Sequence, residues 1–255
     1  MRFLLWIPFI LLFSLPQVTE AYGWGFVKSK DGEKPELGAY EDLIEPYHAF
    51  YMDQSNEKVI YLTFDNGYEA GYTGQILDVL EEHDVQATFF VTGHYAKEED
   101  DLLKRMVNEG HIIGNHSYSH PDFTKEDEQT IAREIYKVEK MVKEKTGQVE
   151  TIYVRPPRGT FDEESLKTID KLGYIQVFWS IAFQDWDTHK GVDYAYDAVM
   201  EQIHPGAVIL LHAVSQDNAE ALNKLIVALK KSGYQFKSLD DYVTNTMVEK
   251  PLMLN

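Results

Sequence analysis

Cysteine is absent from the 255 residues, which excludes disulfides, thiol chemistry and cysteine-held metals. Any bound ion must then be held by histidine, carboxylate, amide or backbone oxygen, or water. Basic residues are scarce: 24 Lys and Arg stand against 42 Asp and Glu, a net charge of −18. A surface that acidic repels polyanions and argues against a nucleic-acid partner. No Gly-x-Gly-x-x-Gly follows the first strand-like run, and no Gly-x4-Gly-Lys-Ser/Thr loop occurs. The usual markers of dinucleotide and nucleotide binding are therefore missing. Long internal repeats and low-complexity segments are missing too. The uncharged run Phe3–Leu15 has thirteen residues and is broken by Pro8, short of the roughly 17–25 apolar residues of a membrane span.

That run matches a secretory signal instead. Arg2 precedes it, and the small residues Thr19 and Ala21 lie three and one before a cleavage point. An uncleaved N-terminal anchor is the alternative. The chain thus divides into a signal at 1–21, an N-terminal arm at 22–57, one domain at 58–245 and a tail at 246–255. Outside the cytosol there is no supply of ATP or NAD, which favours hydrolysis or binding. Hydrophobic residues make up 44% and charged residues 26%, a globular composition.

The arm carries Gly and Pro, with a short helix expected around Asp42–Phe50 and with Trp24 and Phe26 packing it onto the domain. Beyond it, apolar runs alternate with helical patterns. Strands are expected at Val59–Phe64, Gln86–Val91, Ile112–Ile113, Ile152–Arg155, Tyr174–Ser180, Ala207–Leu211 and Tyr234–Phe236. Between them, helices are expected over Thr73–Glu82, Asp100–Glu109, Lys125–Lys145, Asp162–Leu172, Asp193–Ile203 and Asn218–Lys231, with another opening at Ser238–Val243. Ile131, Ile135, Val138 and Val142 form one helical stripe. Near-continuous apolar strands separated by helices predict an α/β fold with a buried parallel sheet, either open or closed into a barrel.

Polar residues stand where the strands end. Asp65 and Asn66 follow the first strand, His116 the third, Arg155 the fourth, Trp179, Asp185 and Trp186 the fifth, and His212 the sixth. In a parallel β/α sheet those ends share one face, where active sites form. His116 and His120 are spaced i,i+4, so one helical turn brings both imidazoles to one ion; Zn²⁺ suits imidazole and oxygen ligands. Two hydrogen-bonded histidines would give the same pattern. No Glu follows the first His, so this is not the His-Glu-x-x-His motif. Asp65 could take a proton from an activated water, or serve only to hold a turn. Arg155 could keep that carboxylate charged, or be a structural ion pair. His212 suits protonation of an amine leaving group, with Asp185 as a possible orienting partner. Trp179 and Trp186 could wall a sugar pocket or belong to the core.

The arrangement resembles the polysaccharide deacetylase family, also called the NodB-homology or carbohydrate esterase 4 family. It is most similar to the subgroup of peptidoglycan N-acetylmuramic acid deacetylases of spore-forming bacteria. The resemblance spans Trp24 to Val243. Its motifs stand here as Thr63-Phe64-Asp65-Asn66-Gly67, His116-Ser117-Tyr118-Ser119-His120, Arg155-Pro156-Pro157-Arg158-Gly159, Ala182-Phe183-Gln184-Asp185-Trp186 and Leu210-Leu211-His212. The resemblance implies a distorted (β/α) barrel of about seven parallel strands. It implies a divalent metal (Zn, Mn or Mg) on His116, His120 and Asn66, with Asp65 as base, Arg155 as its partner and His212 as acid. Backbone N–H groups near Pro157–Arg158 would help hold the oxyanion.

Three positions depart from the pattern. Asn66 stands where most members have a metal-binding aspartate; the muramic-acid subgroup shares it, and a neutral amide implies a weakly held ion. Arg158 replaces an aromatic residue and could pair with a carboxylate of muramic acid. Ala182 replaces an aspartate, which leaves Asp185 as the candidate partner of His212. With Arg158, the residues Trp179, Asp185 and Trp186 complete the expected substrate contacts. The implied reaction is hydrolysis of the N-acetyl group of N-acetylmuramic acid, a step toward muramic δ-lactam in spore cortex. The implied partner is a peptidoglycan glycan strand, met by a monomer secreted or membrane-associated at the cell wall or cortex. Alternatives are a deacetylase of N-acetylglucosamine in peptidoglycan or chitooligosaccharide, a non-catalytic wall-glycan binder, and an unrelated metal amidohydrolase.

Overall fold

The computed structural model describes residues 20–186 and 190–249. Nearly all of the expected signal, and positions 250–255 of the expected tail, lie outside the described residues. The strands are β1 (Tyr22–Gly23), β2 (Ala49–Phe50), β3 (Val59–Asn66), β4 (Thr88–Val91), β5 (Ile112–Asn115), β6 (Tyr153–Val154), β7 (Thr160–Phe161), β8 (Ile175–Val177), β9 (Ala207–His212) and β10 (Gln235–Phe236). The α-helices are α1 (Ala39–Ile44), α2 (Thr73–Glu82), α3 (Gly93–Glu98), α4 (Asp100–Asn108), α5 (Glu128–Thr146), α6 (Glu163–Lys171), α7 (Val192–Met200), α8 (Gln216–Lys231) and α9 (Leu239–Glu249).

β3 is buried at every position, as a strand covered on both faces must be. Its neighbours run in the order β10-β3-β4-β5-β6-β8-β2, with β9 along the other edge of β3. All these pairings are parallel. Past β8 the chain reaches β9 through the bridge Ile181–Ile209 and the bond from Ser180 N–H to Val208 O at 3.0 Å. The sheet therefore curls until its ends touch at a short seam instead of a full ladder. This is the expected distorted α/β barrel of about seven parallel strands. β1 and β7 make a separate antiparallel pair.

Local chemistry sets the boundaries. The Asp127 side chain accepts from Thr130 N–H at 2.7 Å and starts α5. Gly147, at φ 80°, ends it by donating to Lys143 O. Asp162 and Ser165 form a reciprocal capping box at α6. The stripe Ile131, Ile135, Val138 and Val142 is buried, as its spacing predicts.

The arm differs from expectation. Its helix is α1, ending at Ile44, and Ala49–Phe50 is strand β2 on the edge of β8. Gln176 N–H donates to His48 O at 2.7 Å and Phe178 N–H to Phe50 O at 2.9 Å; an open sheet edge overrides a weak local helix preference. Trp24 stacks on Phe178 with centroids 4.1 Å apart, and Phe26 packs on the same cluster. At the other end α9 continues through Glu249, so positions 246–249 of the expected tail are helical. No helix among the described residues is long and apolar enough to cross a membrane.

Candidate active site

The pleat of β3 decides which side chains enter the barrel. Ile60, Leu62 and Phe64 join the outer core under the helices, while Val59 and Tyr61 join the inner core with Phe90, Tyr153, Val177 and Val208. Period-two alternation carries Thr63 and Asp65 inward as well. Arg155 lies two residues after the inward Tyr153 and is 0% exposed. Its Nη1 donates to Asp65 Oδ1 at 2.7 Å, Nη2 to Thr63 Oγ1 at 2.8 Å and Nε to Val177 O at 3.1 Å. The guanidinium lies 4.1 Å from the Phe90 centroid and 5.7 Å from that of Trp179. Burial alone would raise the Asp65 carboxyl, but the Arg155 charge holds it below the usual carboxylate range. Burial also pulls Arg155 down, yet a guanidinium starts so high that it stays charged.

The two imidazoles come from the loop after β5. Asn115 Oδ1 accepts from Ser117 N–H at 3.0 Å, and Ser117 Oγ accepts from His120 N–H at 3.0 Å. Buried Glu134 of α5 accepts from Ser119 N–H at 2.6 Å and from its hydroxyl at 3.0 Å. Gly93 N–H donates to Ser117 O and Tyr118 O, each at 3.1 Å, and a Cβ there would sit 2.2 Å from Tyr118 Cδ2. Ser117 and His120 are held at φ 63° and 56°, a strained region for side chains other than glycine. The outcome is His116 Nε2 3.2 Å from His120 Nε2 and 3.4 Å from Asp65 Oδ2. His116 Nδ1 donates to Arg155 O at 2.9 Å, which leaves its Nε2 as a bare lone pair. Burial lowers both pKa values, that of His120 to about 4, so both rings are neutral at pH 7.

Asn66, next to Asp65 at the end of β3, is 0% exposed and is not among the residues lining the cavity of Asp65 and the two imidazoles. Its Nδ2 donates to Thr73 Oγ1 at 3.3 Å, and its Oδ1 has no partner among the described residues. Two neutral imidazoles and an orphaned amide oxygen fit a divalent cation. The described residues contain no group of three or more His, Cys, Asp or Glu able to hold an ion. An ion held by two imidazoles and an amide would meet less negative charge than at a carboxylate-bearing site.

His212 ends β9 and is the register partner of Asp65. Its Nδ1 is 2.7 Å from Asp185 Oδ1, while Asp185 Oδ2 accepts from His212 N–H at 2.6 Å and from Asn218 Nδ2 at 2.5 Å. Burial works against the charged ring, but the Asp185 hydrogen bond and charge outweigh it and raise the pKa. Asp65, His116, His120 and His212 open into one cavity of about 590 Å³.

Other candidates sit differently from their sequence reading. Arg155 is wholly buried and reaches the cavity only through its pair with Asp65. Asp185, expected among the substrate contacts, is 3% exposed and off the cavity lining, hydrogen-bonded to the ring and backbone N–H of His212. Trp179 also lies off the cavity: it backs Arg155, and its carbonyl accepts from Trp24 Nε1 at 2.9 Å. Trp186 is off the cavity lining too, but it is 56% exposed and its ring lies 5.4 Å from that of His212. Arg158 is exposed at φ 62° and makes no ion pair among the described residues. In that turn Pro157 has no N–H and Gly159 N–H donates to Pro156 O, which narrows the backbone donor to Arg158. Tyr68, His94 and Tyr118 line the cavity without having been singled out. His94 follows β4, a strand end that the same rule of strand ends would have flagged.

The family model described as polysaccharide deacetylase matches residues 53–177. The peptidoglycan-N-acetylmuramic acid deacetylase PdaA of Bacillus subtilis is 52% identical over 238 residues, covering 92% of this chain and 89% of that protein. The solved structure of B. subtilis PdaA, a family 4 carbohydrate esterase, superposes with a TM-score of 0.87 over 89% of this chain and 98% of its own. A peptidoglycan-N-acetylglucosamine deacetylase of Bacillus cereus is 37% identical over 77% of this chain and 72% of its own length. The chain belongs to the polysaccharide deacetylase family.

Proposed function

We propose that this chain hydrolyses the N-acetyl group of N-acetylmuramic acid in peptidoglycan glycan strands, at the cell wall or spore cortex, as a secreted or membrane-associated monomer. The observation that carries it is the pairing of opposed acid–base groups on adjacent strands: Asp65 held toward its charged form by Arg155, and His212 shifted toward its protonated form by Asp185. A divalent ion (Zn, Mn or Mg), weakly held by His116, His120 and Asn66, would supply a Lewis-acid pull on the acetyl oxygen.

The chain's own groups do the rest. Asp65 Oδ1 is tied to Arg155, so Oδ2 takes the proton of the attacking water. The water oxygen bonds to the acyl carbon, with the Arg158 N–H as the backbone donor offered to the oxyanion. His212, with Nδ1 tied to Asp185, gives its Nε2 proton to the departing nitrogen. The C–N bond breaks, leaving acetate and a free amine on the sugar, the precursor of muramic δ-lactam. Trp186 offers a face for a sugar ring beside His212.

Arg158 supports the muramic assignment, because an exposed guanidinium with no ion-pair partner among the described residues suits the lactyl carboxylate. Arg158→Ala is expected to reduce kcat/KM on muramic glycan about 10- to 100-fold, the worth of a charged hydrogen bond. N-acetylglucosamine oligomers should lose far less; equal loss on both substrates would reject the pairing. The function itself is tested by acetate release from purified peptidoglycan and from chitooligosaccharide, with chelator and with each ion restored, the freed amine being located by mass spectrometry. Amine on muramic acid supports the proposal. Amine only on glucosamine would move the activity to the second sugar, and no release with any ion would leave a glycan-binding protein.

A further inference from the structure

Behind Asn66 lies a chain of hydrogen bonds, buried at Thr73 and Tyr95 and half-buried at Glu69, that the proposed reaction does not use. Asn66 Nδ2 donates to Thr73 Oγ1, and the Thr73 hydroxyl donates to Glu69 Oε2. Tyr95 OH donates to the same carboxylate at 3.2 Å. Glu69 Oε1 accepts from Gly71 N–H at 2.5 Å and from Thr73 N–H at 3.3 Å. Thr73 and Tyr95 are both 0% exposed.

The direction of these bonds follows from the donors available. An ionised carboxylate only accepts, so the single hydroxyl proton of Thr73 is committed to Glu69. Toward position 66, Thr73 Oγ1 can then only accept. An amide satisfies it through Nδ2 and leaves Oδ1 free; a carboxylate would set acceptor against acceptor, with a second negative charge close to Glu69.

We propose that Glu69, acting through Thr73, is a positioning residue that selects an amide at position 66 and leaves the Asn66 Oδ1 available as a ligand atom. The ligand half rests on the ion-holding reading of Asn66 above. The neutral ligand is thus imposed by the hydrogen-bond polarity of the α2 entrance, and a carboxylate cannot be introduced there alone.

The test separates the two halves. In chelator, Asn66→Asp is expected to lower Tm by about 5–10 °C, because a buried acceptor loses its partner. Adding Glu69→Gln should restore Tm, since the new amide can donate to Thr73 Oγ1 and free the hydroxyl proton for the introduced carboxylate. By calorimetry with Zn²⁺ or Mn²⁺, Glu69→Gln alone should weaken ion binding about 10- to 100-fold, while Thr73→Ser, which keeps the hydroxyl, should match the parent. Asn66→Asp as stable as the parent, or no recovery in the double variant, would overturn the selection of an amide. Unchanged ion affinity in Glu69→Gln would overturn the positioning role. No ion binding by parent or variants, with the stability pattern intact, would reject the ion-holding reading of Asn66 and leave the amide selection standing.

Discussion

Asp65→Asn is expected to lower kcat for acetate release about 10²–10⁴-fold, the usual loss when a positioned general base is removed. The fold should survive, because the amide oxygen still accepts from Arg155 Nη1. Asp65→Ala differs. Both variants remove the counter-charge, but Ala also leaves the guanidinium, 0% exposed, without its acceptor, and breaking a buried pair from one side costs about 3–5 kcal/mol. That corresponds to a Tm drop of about 10 °C or more in a domain of this size. Acetate assays and thermal unfolding of both variants separate chemistry from stability. Asp65→Asn within tenfold of the parent would sink the base assignment. Because the folded pKa of Asp65 is depressed, its contribution to stability is present above the unfolded carboxylate value. That contribution is lost as pH falls through the folded pKa.

The second large effect lies on the opposite wall. His212→Ala should reduce kcat about 10²–10⁴-fold through loss of the acid, and Asp185→Asn should act on the same step without touching substrate. Asp185 raises the pKa of His212, so the ring keeps its proton to higher pH. Activity that needs the protonated ring falls as pH rises through this pKa. With an amide in place of the carboxylate, the basic limb of the kcat profile should move to lower pH, and the deficit should be largest on the alkaline side. A parallel loss at every pH would reduce Asp185 to a structural residue. The linkage has the opposite sign to that of Asp65: the His212–Asp185 contribution is complete below the unfolded pKa and is lost as pH rises through the folded one.

The cavity residues Asp65, His116 and His212 were legible in the sequence because a parallel sheet gathers its strand ends on one face, and strand ends can be read from apolar runs. Burial of Arg155 was latent in its two-residue spacing from Tyr153. What sequence could not assign was depth. Trp179 and Trp186 both follow β8, yet one supports Arg155 from behind and the other faces solvent beside His212. The difference arises where the chain crosses to β9 at Ile181, a tertiary event without a local signature. Strand β2 was missed for the same reason: two residues become a strand only because β8 has an open edge. The Glu69–Thr73–Asn66 chain is local, but its meaning lies in proton direction, which residue spacing does not show.

The Arg155–Asp65 pair joins positions 90 residues apart and stands inside the barrel. During folding, β6 cannot deliver a guanidinium to that interior before β3 is present to receive it, or a bare cation would be stranded in an apolar core. The strands between them, β4 and β5, supply the lateral continuity, so closure of so long a loop belongs to a late and concerted stage. A half-assembled sheet would hold neither a stable interior nor a charged base. In this chain, hydrolytic competence arrives with completion of the barrel, and refolding followed by recovered activity and by burial of the core should share one slow phase.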